Sequence, residues 1–117
     1  MKIVVLDKDT LGDDIDLSPL AAVGEVTVFG NTPPDLVRER LTDADVAVLN
    51  KIKLHAENLT GTAVRLICVA ATGYDNIDVA YCRKAGVALC NVPGYSTDSV
   101  AQLTLAMALQ LATRLDD

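Results

Sequence analysis

The chain has 117 residues, half of them apolar but only 3% aromatic, with a formal net charge of −6. That length accommodates one domain with a core of its own, residues 1–117, and a core so poor in aromatics has to be filled by Val, Leu, Ile and Ala, as between a parallel sheet and its helices. The dispersed Lys and Arg exclude a nucleic-acid surface, and no stretch reaches the ~18 uninterrupted apolar residues of a membrane span.

Ile3 to Leu6 reads as a first strand. It is too short for a signal-peptide core, so a cytoplasmic setting is expected. Ser18-Pro19-Leu20-Ala21-Ala22-Val23 resembles a short helix with Ser as N-cap, Pro in the first turn and Gly24 as stop. Val26 to Phe29 is the second strand. Thr32-Pro33-Pro34-Asp35 is a stronger helix start, with Thr32 as cap and Asp35 at the positive end of the dipole, and the helix runs to about Ala44. Val46 to Leu49 is the third strand, ending in Asn50-Lys51.

His55-Ala56-Glu57-Asn58-Leu59 makes at most a helical turn. His55, the only histidine, reads as a surface residue, because nothing near it in the sequence supplies a nucleophile or a second ligand. Leu66 to Ala71 lacks period-two alternation, as a strand covered on both faces should. It delivers the polar loop Thr72-Gly73-Tyr74-Asp75-Asn76, which is either a binding loop or an ordinary strand-to-helix connection capped by Asp75 or Asp78. Asp78 to Ala85 is a helix with an acidic cap, a basic last turn and Gly86 past its end. Val87 to Val92 is the fifth strand, stopped by Pro93-Gly94, and Thr97 to Leu115 is the longest helix. The cysteines, Cys68, Cys82 and Cys90, are odd in number and lack Cys-x-x-Cys spacing. They read as reduced structural thiols, the two in predicted strands serving as small buried hydrophobes.

Alternating strands and helices with short connections imply an α/β fold with right-handed crossovers and a doubly wound, five-stranded parallel sheet. Ligands of such sheets sit beyond the carboxyl ends of the strands. Here those ends are Asp7-Lys8-Asp9, Asn50-Lys51, Ala71 to Asn76 and Pro93 to Ser96. A receiver domain is excluded, since Asn50 and Val92-Pro93 stand where it needs an Asp and a Lys. The turn after the first strand carries too many carboxylates to cradle a flavin phosphate, and no turn has the Gly-x-Gly-x-x-Gly of a dinucleotide site. No metal ligand set is visible. What remains is a small anion held by backbone N–H groups at Thr72-Gly73-Tyr74, with positive charge from Lys51.

Ala71-Thr72-Gly73-Tyr74-Asp75-Asn76-Ile77-Asp78, then Ala85-Gly86-Val87, Asn91-Val92-Pro93-Gly94-Tyr95-Ser96 and Ser99-Val100-Ala101-Gln102 together resemble the N-terminal substrate domain of the D-isomer-specific 2-hydroxyacid dehydrogenases. The resemblance covers essentially the whole chain and implies a flavodoxin-like sheet in the order 2-1-3-4-5. It also implies a two-domain enzyme moving a hydride between NAD(P) and a small 2-hydroxy or 2-oxo acid. Residues matching Thr72 and Gly73 then offer backbone N–H groups to the substrate carboxylate, and those matching Tyr95 or Ser96 touch substrate or nicotinamide. The catalytic Arg, Glu and His and the pyrophosphate loop belong to a cofactor domain with no match here, and His55 does not match that catalytic His. The chain is therefore expected to be a fragment truncated before the cofactor domain, to bind no cofactor and to be inactive alone. The other open reading is a stand-alone structural module, engineered or excised, with a vestigial rim.

Two features of the last helix depart from expectation or need explaining. Gln102-Leu103 stands where many members have Glu-His, which puts Leu103 among Gln102, Ser99, Ala106, Gln110 and Arg114 on the more polar side. The other side, with Val100, Leu105, Leu109, Ala112 and Leu115, needs cover. It can fold back on the sheet or pair with a second copy as a homodimer through 97–115.

Overall fold

The strands β1 (Lys2–Val5), β2 (Glu25–Val28), β3 (Val46–Leu49), β4 (Leu66–Val69) and β5 (Ala88–Cys90) form one all-parallel sheet in the order β2-β1-β3-β4-β5. The computed structural model describes residues 1–115. The flavodoxin-like order expected from the sequence is the one observed. The third strand has the predicted bounds, and the other four are displaced or trimmed by one or two residues at their ends.

The order has a physical consequence for the two faces. The connection from β1 runs outward to β2 and all later ones run the other way, so right-handed crossovers put α1 (Val37–Leu41), α2 (Ala56–Leu59) and α3 (Val79–Ala85) on one face. Val4, Leu6, Ala47, Leu49, Ile67 and Val69 of the sheet pack there against Val37, Leu41, Leu54, Leu59, Ile77 and Cys82. The opposite face has the 3₁₀ turn Ser18–Ala22 near the β2 edge, and at the other edge Ala88, Cys90 and Val92 are exposed.

Several local expectations give way to tertiary partners. Thr32 caps no helix; it is buried, its Oγ1 donating to the Leu6 carbonyl at 2.6 Å and accepting from Arg40 Nη1 at 2.6 Å. Arg40 in turn lies 3.8 Å over the Phe29 ring. Without that cap, the predicted single helix divides into a 3₁₀ turn, Pro34–Leu36, and α1. Ser18 bonds the Asp16 carboxylate through its N–H and hydroxyl, at 2.9 and 2.8 Å, instead of capping the turn that follows. Gly24 is needed for space, since a Cβ there would stand 2.4 Å from the Met1 carbonyl oxygen. Gly86 does end α3 in the left-handed conformation, with φ 72°.

Helix α4 (Thr97–Thr113) settles one choice. Every residue from Thr97 to Leu115 is exposed, so the helix does not fold back over its own sheet but projects from it, and the extents with the helix included are 56 × 31 × 25 Å. It is also apolar on more than one side: Leu103, Met107 and Leu111, one turn apart, are exposed alongside Val100, Leu105 and Leu109. Among the described residues no helix is long and apolar enough to cross a membrane.

Candidate functional site

The rim is built on Asp7, the first rim residue after Leu6. It is 1% exposed, and its carboxylate accepts three backbone N–H groups from the loop after β3: Asn50 on Oδ1 at 2.9 Å, Lys51 and Ile52 on Oδ2 at 2.6 and 3.2 Å. A charged acceptor satisfying three donors at once ties the two central strand ends together. Asn50 adds a second tie, its Nδ2 donating to the carbonyl and hydroxyl of Thr10 at 3.2 and 3.1 Å.

The loop after β4 is held from both sides. Asn76 Nδ2 donates to the carbonyls of Asn50 at 3.2 Å and Ile52 at 2.7 Å, while the Asn76 carbonyl accepts from Leu54 N–H at 3.0 Å. On the β5 side, Asn91 Nδ2 donates to the Thr72 carbonyl at 2.8 Å and the Thr72 hydroxyl to the Val92 carbonyl at 2.9 Å. Asp78, not Asp75, caps α3, accepting from Tyr81 N–H at 2.9 Å. Between these clamps the N–H groups of Thr72, Gly73 and Tyr74 find no acceptor among the described residues.

Gly73 is not demanded by the chain's own conformation. It is not among the glycines with positive φ, and a Cβ on it would meet only Asp75 Oδ1, at 3.5 Å. Its missing side chain therefore serves approach from outside. The nearby Asp75 carboxylate opposes an anion there, so a positive group is needed to offset it. Lys51 is exposed, with its backbone locked by Asp7 and no partner for its ammonium among the described residues.

The other two predicted residues are placed differently. Tyr95 is 66% exposed and lines an apolar groove of about 450 Å³ with Leu11, Ile15, Asn50, Ala70 and Val92, on the sparsely covered face. Thr72, Gly73, Lys51 and Ser96 do not line it. Ser96 is half-buried at the root of α4, where its carbonyl accepts from Val100 N–H at 2.9 Å. His55 opens α2 on the surface, its N–H donating to Asn58 Oδ1 at 3.0 Å. Among the described residues, no group of three or more His, Cys, Asp or Glu is placed to hold a metal.

In the sequence Asp7 stands only among the carboxylates of the turn after the first strand, and Asn76 and Asn91 only as loop residues. A carboxylate directly behind a fully apolar strand is the signal that points to Asp7, because a buried strand end exposes N–H groups that need an acceptor.

The model of the D-isomer specific 2-hydroxyacid dehydrogenase catalytic domain matches residues 3–114. The chain belongs to that family. It is 36% identical over 116 residues to a hydroxypyruvate reductase of Blautia hydrogenotrophica, covering 95% of this chain and 36% of that protein. A glycerate dehydrogenase of Methylorubrum extorquens is 30% identical over 112 residues, covering 94% of this chain and 35% of the enzyme. In three dimensions it is similar to the D-lactate dehydrogenase of Aquifex aeolicus complexed with NAD and lactic acid, with TM-score 0.80 and 25% identity over 98% of this chain and 34% of that one. This dehydrogenase-family chain thus spans about a third of the length of the relatives it matches. The matched third includes the whole rim.

Proposed function

We propose that the chain supplies the carboxylate-binding half of a D-2-hydroxyacid dehydrogenase cleft and performs no hydride transfer alone. The observation that carries this reading is the row of unpaired N–H groups at Thr72, Gly73 and Tyr74, beside a glycine the fold does not require, in a loop clamped on both sides. A carboxylate accepts such N–H groups directly, and Lys51 supplies the charge that offsets Asp75. Tyr95 and Ser96 border the substrate from the β5 side, with the apolar groove beyond Tyr95.

In full-length family members the nicotinamide accepts or donates the hydride. The rim of this chain does not suit that cofactor: the carboxylates of Asp7 and Asp9 stand in the turn after β1, and Asp7 already occupies the N–H groups of the neighbouring loop. We therefore assign the chain no cofactor and no catalytic residue of its own. Small 2-hydroxy and 2-oxo acids are its ligands, bound weakly, with Kd of about 1 mM or above because one wall of contacts yields only about 4 kcal/mol.

Titrating the chain with oxalate or glyoxylate while following amide resonances tests the reading. Saturable shifts are expected at Thr72, Gly73 and Tyr74, abolished in Gly73→Val and weakened in Lys51→Gln, with no NADH or NADPH consumed when glyoxylate, pyruvate or hydroxypyruvate is added. Indifferent amides would favour a vestigial rim, and measurable turnover would overturn the assignment of chemistry to residues outside this chain.

The exposed helix α4 gives the isolated chain a surface to cover. At about 1.5 Å per residue it is roughly 25 Å long, and a second copy offers the same self-complementary stripe. Light scattering after size exclusion should therefore return twice the chain mass at high concentration. A monomer at every concentration would remove the dimer.

A further inference from the structure

Cys68 in β4 and Cys90 in β5 are direct register partners. Their neighbours Ile67 and Val69 enter the core with Cys82, so strand alternation sends Cys68, and with it Cys90, to the opposite, sparsely covered face. The sequence-based expectation of two buried strand thiols fails here: Cys90 is exposed, Cys68 is half-buried, and the fully buried thiol is Cys82 on helix α3. Burial pushes the Cys68 thiol above its ordinary value, and the Cys90 sulfur beside it pushes in the same direction.

We propose that Cys68 and Cys90 form a reversible dithiol–disulfide couple that exchanges with low-molecular-weight disulfides. Neighbouring strands lie ~4.8 Å apart, inside the ~4.4–6.8 Å range of Cα separations that disulfides span. Side chains at paired positions run parallel, leaving the Cβ atoms slightly beyond the ~3.5–4.5 Å of a relaxed bond. Closure requires β5 to move inward by a fraction of an ångström. That motion is open to it, because β5 is an edge strand of three residues and Cys90 is its last. A bond closed under such strain is readily reduced, which suits a labile couple more than a structural one.

Exposure makes Cys90 the thiol that reacts first. Its thiolate attacks one sulfur of the external disulfide, forming a mixed disulfide and expelling one thiolate. The Cys68 thiolate then attacks the Cys90 sulfur and expels the second. Two protein thiols are oxidised, one external disulfide is reduced to two thiols, and the two cysteine protons pass to the departing thiolates.

Oxidised glutathione followed by maleimide trapping and peptide mapping tests the proposal, with cleavage before Asp75 and Asp78 separating Cys68 from Cys82 and cleavage after Arg83 and Lys84 separating Cys82 from Cys90. The folded chain should yield a single intramolecular link between the Cys68 and Cys90 peptides, with Cys82 left as a thiol and full reversal by dithiothreitol. Cys68→Ala should stop at a glutathione adduct on Cys90, and Cys90→Ser should lose the link, both with unchanged circular dichroism. A native chain that stops at the Cys90 adduct, links Cys90 between two chains, recruits Cys82 or fails to react overturns the couple.

Discussion

Replacing Asp7 by alanine is expected to lower the stability of the chain by about 3–5 kcal/mol, a large part of the ~5–15 kcal/mol that holds a domain together. The side chain is almost wholly buried and is the acceptor for Asn50, Lys51 and Ile52 N–H. Hydrogen bonds to a charged group contribute roughly 1.5–3 kcal/mol each, and truncation leaves the donors without an acceptor. The total falls short of three times that value because Asn50 is only half-buried and Lys51 is exposed, so water recovers part of the loss. Asp7→Asn should be intermediate: one oxygen still accepts, but its NH₂ confronts the donors that Oδ2 now satisfies. Urea unfolding followed by circular dichroism measures both, and a loss below about 1 kcal/mol for alanine would mean that the carboxylate does not hold the β3 loop.

Leu54→Ala should cost about 2–5 kcal/mol, through lost transfer free energy plus the cavity left beneath the rim. Leu54 is 0% exposed, bridges Ile77, donates its N–H to the Asn76 carbonyl and accepts from Asp78 N–H. It therefore supports the Thr72–Asp78 loop from below, and its truncation should broaden the Gly73 and Tyr74 amide resonances as well as lower the urea midpoint. Leu109→Ala, the same chemical change at a position 62% exposed, serves as the contrast. In a monomer it should stay within about 0.5 kcal/mol. If α4 pairs with a second copy, its effect instead appears as a higher concentration needed for association. Equal losses at Leu54 and Leu109 in dilute solution would contradict the placement of these two leucines.

The sequence by itself determined the features that depend on local pattern and chain handedness. The apolar runs Ile3 to Leu6, Val46 to Leu49 and Leu66 to Ala71 marked three strands; the expected cover on both faces of the last is not met, since Leu66, Cys68 and Ala70 are only half-buried. The short β–α connections left right-handed crossovers and a parallel sheet whose strand ends share a rim, and the family resemblance supplied the strand order. Asp78 and Gly86 marked the ends of α3 because capping is decided within a few residues. The motif from Ala71 to Ser96 carried the family likeness.

Only the tertiary structure decided what depends on partners far apart in sequence. Asp7 meets Asn50 to Ile52 across more than 40 positions, Thr32 meets the Leu6 carbonyl across 26, and Asn91 meets Thr72 across 19. No periodicity or propensity encodes such a hydrogen bond, because each partner's own neighbourhood reads equally well as loop or cap. The same holds for the pairing of Cys68 with Cys90, which is a matter of strand register, and for the place of Tyr95 on the apolar groove beside Leu11, Ile15 and Val92. For the loop after β4, the sequence supplied a glycine and polar neighbours. The fold added the fact that this glycine is not demanded by the local conformation and that the N–H groups of Thr72, Gly73 and Tyr74 find no acceptor among the described residues, in a loop clamped through Asn76 and Asn91.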